Sequence, residues 1–243
     1  MVEIEAVPVW EVPSLPTVFN YWTGDLEREG ASVTLQVEKD ICGVAYFSYL
    51  GEEQTRPCVD TLNGLVNMCK EMSIAPTRRG YKSGTYGVTR RDEYGNPKMH
   101  KGIDVYAEKG TPIYCQYGGI VYEARDIFQD GVSSNDYPHG NRIIIQSGAK
   151  LYFYCHLQGG GKTIGYNYRA GRVFKKGDRV YPGEIIGYAG STGNAVEAFT
   201  PHVHFEVHDN GEVVDPSAYI NGSINVNTGE ITGIRCDELV NYD

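Results

Sequence analysis

Apolar positions in the second part of the chain alternate with polar ones over short stretches, and glycine closes most of these stretches. From Tyr86 onward they read "GIDVYA", "TPIYCQYGGIVYEA", "NRIIIQSG", "KLYFYCHL", "GEIIGYAG" and "HVHFEVHD". Alternation of period two in β-branched and aromatic runs predicts strands, and no long helical periodicity separates them. A mainly β fold, an antiparallel sheet or sandwich, is expected rather than an α/β fold. Upstream of Gly80, "ASVTLQVE" puts Val33, Leu35 and Val37 on one face, and "ICGVAYFSYL" reads as a more buried strand. Val59, Leu62, Leu65, Val66, Cys69 and Met72 recur at helical spacing, which predicts an amphipathic helix from about Pro57 to Met72. Residues 1–80 are therefore expected to form a small α+β N-terminal module. "APTRRGYKSGTYG" then links it to a β unit over 81–222, and 223–243 form a tail that reads as a further hairpin.

Composition sharpens this division. Residues 1–80 hold six of the 30 glycines, while all six histidines lie between His100 and His208, so chemistry is expected in the second part. The net charge is −9 and no basic stripe stands out along the chain, which argues against a nucleic-acid partner. No run approaches the ~18 apolar residues of a membrane span. The first basic residue is Arg28, and Pro8, Pro13 and Pro16 interrupt the start, so no signal peptide is visible. Six cysteines contain no Cys-x-x-Cys pair, which excludes the usual thiolate zinc site and leaves reduced core thiols and disulfides both open. Cys115 and Cys155, both in core strands, are expected close in space, more as thiols than as a disulfide.

Chemistry-bearing residues fall into three places. On a strand through "PHVHFEVHD", His202, His204, Glu206 and His208 share one face, and Val203, Phe205 and Val207 take the core face. Two imidazoles at His-x-His spacing can turn toward one cation, although exposed strand histidines are also common. In "MHKGIDV", His100 and Asp104 stand four residues apart where a loop enters a strand. Each suits zinc, and each could equally serve a hydrogen-bonded turn. Three protein ligands with one open position define a catalytic zinc site, and His100, Asp104 and one member of the His-x-His pair make three. His156 ends the apolar run "KLYFYCHL", at a sheet edge or a cleft rim. Hydrolysis also needs a group to take a proton from the attacking water and donors for the oxyanion. With no His-Glu-x-x-His helix in the sequence, that work falls to His156 and the non-ligating member of the pair.

"MHKGID", "YCHL" and "PHVHFEV", in this order and joined by "VFKKGDRVYPGEIIGYAGSTG", resemble the lysostaphin-type or LytM-type zinc endopeptidases of bacterial peptidoglycan. The resemblance covers roughly residues 82 to 220. It implies one zinc per chain held by His100, Asp104 and His204, with His156 and His202 as catalytic histidines. It also implies peptidoglycan as the substrate and the bacterial cell wall as the site of action, whether extracellular, periplasmic or virion-associated. Two alternatives keep the fold: a non-catalytic wall-binding or regulatory module, and the hydrolytic tip of a phage tail-like assembly joined through the N-terminal module. "FQDGVSSNDYPHG", "QGGGKTIGYNYRAG" and "NAVEAFT" depart from the family pattern as enlarged loops that would wall a substrate groove. His139, in the first of these, is expected to be solvated. His208, about 13 Å from His204 along an extended chain, is expected outside the ligand shell.

Overall fold

Glycine turns cut the chain into strands too short to cross a domain alone, so each must be stabilised by lateral pairing and by one buried face. In the computed structural model, residues 66–234 are described apart from 70, 162, 168–169 and 196–199. Upstream, only the backbone of the strand segments 2–5, 17–24, 32–35, 43–49, 59–60 and 65 is described. These leading strands are β1 (Val2–Glu5), β2 (Thr17–Gly24), β3 (Ser32–Leu35), β4 (Gly43–Tyr49), β5 (Val59–Asp60) and β6 (Leu65–Val66). They pair antiparallel as β1 with β3, β2 with β4, and β5 with β6. The strands expected in "ASVTLQVE" and "ICGVAYFSYL" are thus present as β3 and β4.

The main body follows with β7 (Gly87–Arg91), β8 (Pro97–His100), β9 (Ile103–Tyr106), β10 (Pro112–Tyr114), β11 (Gly119–Arg125), β12 (Asn141–Ser147) and β13 (Lys150–Leu157). Then come β14 (Tyr166–Asn167), β15 (Arg172–Val173), β16 (Arg179–Val180), β17 (Ile185–Tyr188), β18 (His202–Asp209), β19 (Glu212–Val214), β20 (Ser223–Ile224) and β21 (Ile231–Thr232). Among the described residues, a seven-stranded antiparallel sheet runs β16-β11-β12-β13-β18-β19, with β9 also paired to β18. One edge of β18 lies along β13. Its other edge is shared, by β9 at His202 to Phe205 and by β19 at Val207 to Asp209. The fold is mainly β, as the alternation implied.

One face of this sheet carries the core. Val121, Ile143, Ile145, Tyr154, Val203, Phe205 and Val207 are almost fully buried in a single apolar cluster, with Ile103, Ile113, Phe174 and Ile186 packed into it. Each such side chain contributes roughly 1.5–3 kcal/mol by leaving water, so this face fixes the register of β18. The opposite face is then free to carry polar groups.

The described residues of the helix expected from about Pro57 to Met72 are not helical. Val59–Asp60 instead pairs antiparallel with Leu65–Val66, and the described helical segments are single 3-10 turns. In the sequence, Asn63-Gly64, a dipeptide strongly suited to hairpin turns, lies between the two strands and competes with the helical spacing. Most of the small α+β module expected over 1–80 lies outside the described residues. Met68, Cys69, Met72 and Ile74 pack into the same cluster as the sheet, and the Tyr114 amide donates to the Met68 carbonyl at 2.8 Å, so the core continues upstream of Gly80. At the other end the expected tail hairpin exists as β20 and β21, and the Ile74 amide donates to Gly229 at 2.7 Å.

Cys69, Cys115 and Cys155 are buried free thiols; Cys42, Cys58 and Cys236 lie outside the described residues. Cys115 and Cys155 are not neighbours as expected. Cys115 belongs to the main core with Tyr152 and Tyr154, whereas Cys155 packs with Ile144 and Phe153 on the other face of β13. Burial pushes the Cys69 and Cys115 thiols up to about 12, which removes the reactive thiolate. An alkylating reagent at neutral pH is therefore expected to leave Cys69, Cys115 and Cys155 unmodified until the chain is unfolded. Mass spectrometry of labelled peptides checks this, and rapid native labelling at any of the three would contradict the packing.

Candidate metal centre

Because Val203, Phe205 and Val207 are committed to the core, the alternate residues His202, His204 and Glu206 must face the other way, and all three are buried there. The pairing with β9 sets Asp104 directly opposite His204, so carboxylate and imidazole share that face. The turn Lys101–Gly102 then brings His100, at the end of β8, over the same point. Gly102 permits the close approach: a Cβ there would lie 2.3 Å from the Phe205 carbonyl oxygen and 2.8 Å from His204 Cε1.

Three ligand atoms converge. His100 Nε2 lies 3.1 Å from His204 Nδ1 and 3.2 Å from Asp104 Oδ1, and His204 Nδ1 lies 2.9 Å from Asp104 Oδ1. Ligands of a tetrahedral ion with bonds of ~2.0–2.1 Å stand about 3.3–3.4 Å apart, so this triangle is close to one that a single ion would span. The opposite ring nitrogens explain the tautomers. His100 Nδ1 faces the Thr85 carbonyl at 2.8 Å and His204 Nε2 faces Glu206 Oε1 at 2.8 Å, so in the neutral rings these nitrogens carry the hydrogen and donate it. Nε2 of His100 and Nδ1 of His204 then present lone pairs to a carboxylate that also has only lone pairs. Three buried acceptors meeting at one point require a positive charge between them. The donor set of two imidazoles and a carboxylate with one open side suits zinc.

The electrostatics agree. Burial opposes ionisation of Asp104, but the neighbouring His202 and the contacts from His100 and His204 outweigh it and hold the carboxyl well below its usual range. Burial also works against charge on His204, yet Asp104 and Glu206 raise it to about 9: in the bare chain a proton takes the place of the cation. Arg90 contacts the second Asp104 oxygen and donates through Nε to the Ser83 carbonyl at 2.7 Å, which fixes the carboxylate from behind.

The other two candidate histidines stand beside this triangle. His202 Nδ1 faces the Thr200 carbonyl at 2.9 Å and its Nε2 lies 3.7 Å from Asp104 Oδ1. His156 Nδ1 faces the Thr192 carbonyl at 3.0 Å, and its ring centroid lies 5.2 Å from that of His202 and 5.7 Å from that of His204. Burial, then the neighbouring His202 and His204, drives the His156 pKa well below its ordinary value, so this ring is neutral with Nε2 unprotonated. Simple alternation would point His156 into the core beside Tyr154. It does not, because the β12–β13 register slips between Asn141 and Arg142, leaving His156 as an extra residue, and its φ is +62°. This bulge in the left-handed region turns the imidazole to the polar face. All five residues singled out from the sequence are thus brought together.

Sequence reasoning passed over the groups behind them. Glu206 lies on the noted strand face but was given no role; it accepts from His204, from His139 at 3.2 Å and from His208 at 2.9 Å. His139 is not solvated as expected. Its ring stacks on His204 with centroids 5.6 Å apart, and Arg142, paired to Glu123, approaches its Nδ1 at 2.9 Å. His139, His204 and Glu206 also lie within ligand reach of one another, but in these tautomers both imidazoles donate to the carboxylate, which makes them a hydrogen-bonded network. His208 lies outside the ligand triangle, stacked on Phe153 at 4.2 Å. The sequence signal for Glu206 was its place two residues after His204 on one face; His139 reaches the site by a loop that carries no periodicity.

Glu206→Gln keeps the shape and removes the charge that orients His204. Loss of such a partner typically costs 10–100-fold in metal affinity. The variant is expected to bind zinc about that much more weakly with its sheet intact, as competition with a chromogenic chelator and circular dichroism would show; unchanged affinity would mean that the network is idle.

The profile of Peptidase family M23 matches residues 98–216. Lysostaphin of Staphylococcus simulans is 32% identical over 131 residues, covering 53% of this chain and 21% of that protein. The peptidoglycan DD-endopeptidase ShyC of Vibrio cholerae is 33% identical over 118 residues, 48% of this chain and 22% of the relative. The L-Ala--D-Glu endopeptidase of Bacillus subtilis is 32% identical over 155 residues, 61% of this chain and 41% of the relative. The chain thus spans from about a fifth to two-fifths of the length of these relatives. The matched region contains every member of the ligand triangle and both neighbouring histidines, and with it the chain carries a domain of Peptidase family M23.

Proposed function

We propose that the chain is a zinc-dependent endopeptidase that hydrolyses peptide bonds of bacterial peptidoglycan, in stem peptides or crosslinks, and acts at the cell wall. The observation that carries this reading is the convergence of three lone-pair donors in fixed tautomers beside two further imidazoles with free nitrogens. His100 Nε2, Asp104 Oδ1 and His204 Nδ1 would hold the ion. Bound there, zinc would supply Lewis acidity toward the scissile carbonyl and toward water. His202 and His156 each keep Nδ1 on a backbone carbonyl, so each can take a proton at Nε2 without moving. Once protonated, the same nitrogen donates to the oxyanion or the departing amine. The catalytic unit is the segment 81–222 with residues 66–75 packed into its core, and the residues before it position or restrain the enzyme.

The test is incubation of the purified chain with sacculi of different crosslink types, with released termini identified by mass spectrometry. New amino termini within peptides are the expected result; new reducing sugars would point to a glycosidase and overturn the reading. A parallel chelated sample should release nothing yet keep its circular dichroism, because the apolar core does not include the ligands. Collapse of the fold on chelation would instead identify a structural metal.

A further inference from the structure

The groove over the ligand triangle is asymmetric in charge. One wall is formed by the segment after Ala75 and the β7–β8 hairpin, and it carries Arg78, Arg79, Arg91, Lys98 and Lys101, all exposed. Among the described residues, the other groups lining its rim include the uncharged Pro138, Asn194, Ala195 and Thr200. Residues 76–101 hold seven Lys and Arg against two Asp and Glu, a net of +5 in a chain whose total is −9, a local basic stretch that the expectation of no basic stripe passed over. Among the described residues none of the five rim cations has a carboxylate within ion-pair distance. Arg79 donates instead to the Arg91 carbonyl at 3.2 Å, and Arg91 to the Gly95 carbonyl at 2.7 Å. The carboxylates lining the groove among the described residues are Asp104 and Glu206, and both are already engaged, Asp104 with Arg90 and the ligand histidines, Glu206 with three imidazoles. Among the described residues, five cations therefore border the groove without internal neutralisation. In a chain with an excess of acids, such a wall attracts anions to the groove.

We infer that this rim selects substrate peptides that carry free carboxylates beside the scissile bond. The inference rests on the proposed endopeptidase function and names the substrate class of that site. Free and amidated forms of one peptide have nearly the same shape, so a wall of exposed cations distinguishes them by charge. Exposed charge pairs are individually weak and screened by salt. Several acting together give an expected preference of about tenfold in kcat/KM, appearing mainly in KM and shrinking as salt rises.

The experiment compares zinc-loaded protein on two synthetic stem peptides, one with free side carboxylates and one with those groups converted to carboxamides, at low and high salt. Arg78→Gln/Lys98→Gln/Lys101→Gln is tested beside Lys175→Gln/Lys176→Gln, which lies outside the groove lining, and zinc content is read for each. Support is a preference of about tenfold for the free carboxylates that falls to near one in the triple variant, with zinc retained, and persists in the control. Equal cleavage of both peptides by the unaltered chain overturns the inference and leaves the endopeptidase reading standing. If neither peptide is cut, that reading fails and the inference falls with it. Equal cleavage combined with salt-sensitive sedimentation of whole walls, lost in the triple variant, overturns it in favour of a docking surface for wall polyanions.

Discussion

His204→Ala should lose zinc and activity together, whereas His202→Ala should keep zinc and lose turnover. The two side chains are only two residues apart on one strand face, and the difference follows from which nitrogen each has free. His204 Nδ1 stands within 3.1 Å of both His100 Nε2 and Asp104 Oδ1 and completes the triangle. His202 Nε2 stands 3.7 Å from Asp104 Oδ1 and belongs to the space beside it. Removing one of three protein ligands should weaken binding strongly. Removing a proton-transfer group or an oxyanion donor typically lowers turnover by ~10²–10⁴-fold with the metal still bound. His156→Ala should follow His202→Ala. Zinc stoichiometry beside turnover for the three variants decides it. Metal lost from His202→Ala and retained by His204→Ala would invert the assignment, and full activity in all three would place the chemistry elsewhere.

A single methyl group at Gly102 should be almost as damaging as loss of a ligand. The added Cβ would overlap the Phe205 carbonyl oxygen and the His204 ring. Neither can yield cheaply, since Phe205 is buried in the core and pairs with Ile103 across the β9–β18 ladder, and His204 is held by Asp104 and Glu206. Gly102→Ala must therefore separate β9 from β18 or rotate the imidazole. Overpacking of this kind costs about 1–3 kcal/mol. The expected result is a lower Tm and zinc affinity reduced by more than tenfold, from calorimetry and metal competition. Wild-type affinity with wild-type Tm would show that the strands tolerate the shift.

Much of this architecture could be read from the chain because strand alternation and glycine turns are local signals. β18 is the clearest case: Val203, Phe205 and Val207 name the core face, and the histidines follow on the other. The segment 57–72 misled because its apolar spacing fits a helix as well as it fits the paired strands and core contacts of its described residues, and the competing Asn63-Gly64 signal lay inside it. Cys115 and Cys155 misled for a related reason: membership of core strands says nothing about which face each thiol takes. The ligand triangle was legible as a set of residue types. Of its supports, Glu206 carried a signal on the strand face of His204, whereas Arg90 and His139 come from another strand and a loop whose convergence depends on tertiary pairing.

The extra residue at His156 has a consequence for anyone who would transplant this site. Copying the five side chains onto another antiparallel sheet at matching strand positions would deliver that imidazole into the acceptor's interior, since a regular ladder sends it to the side of Tyr154. The graft must carry the irregularity as well: two residues facing one across the β12–β13 pair, and a backbone at φ +62° that a host strand would resist. Portability of the chemistry is thus limited by a defect in hydrogen bonding rather than by the ligands, and deleting one residue to make the strand regular would improve the sheet while dismantling the centre.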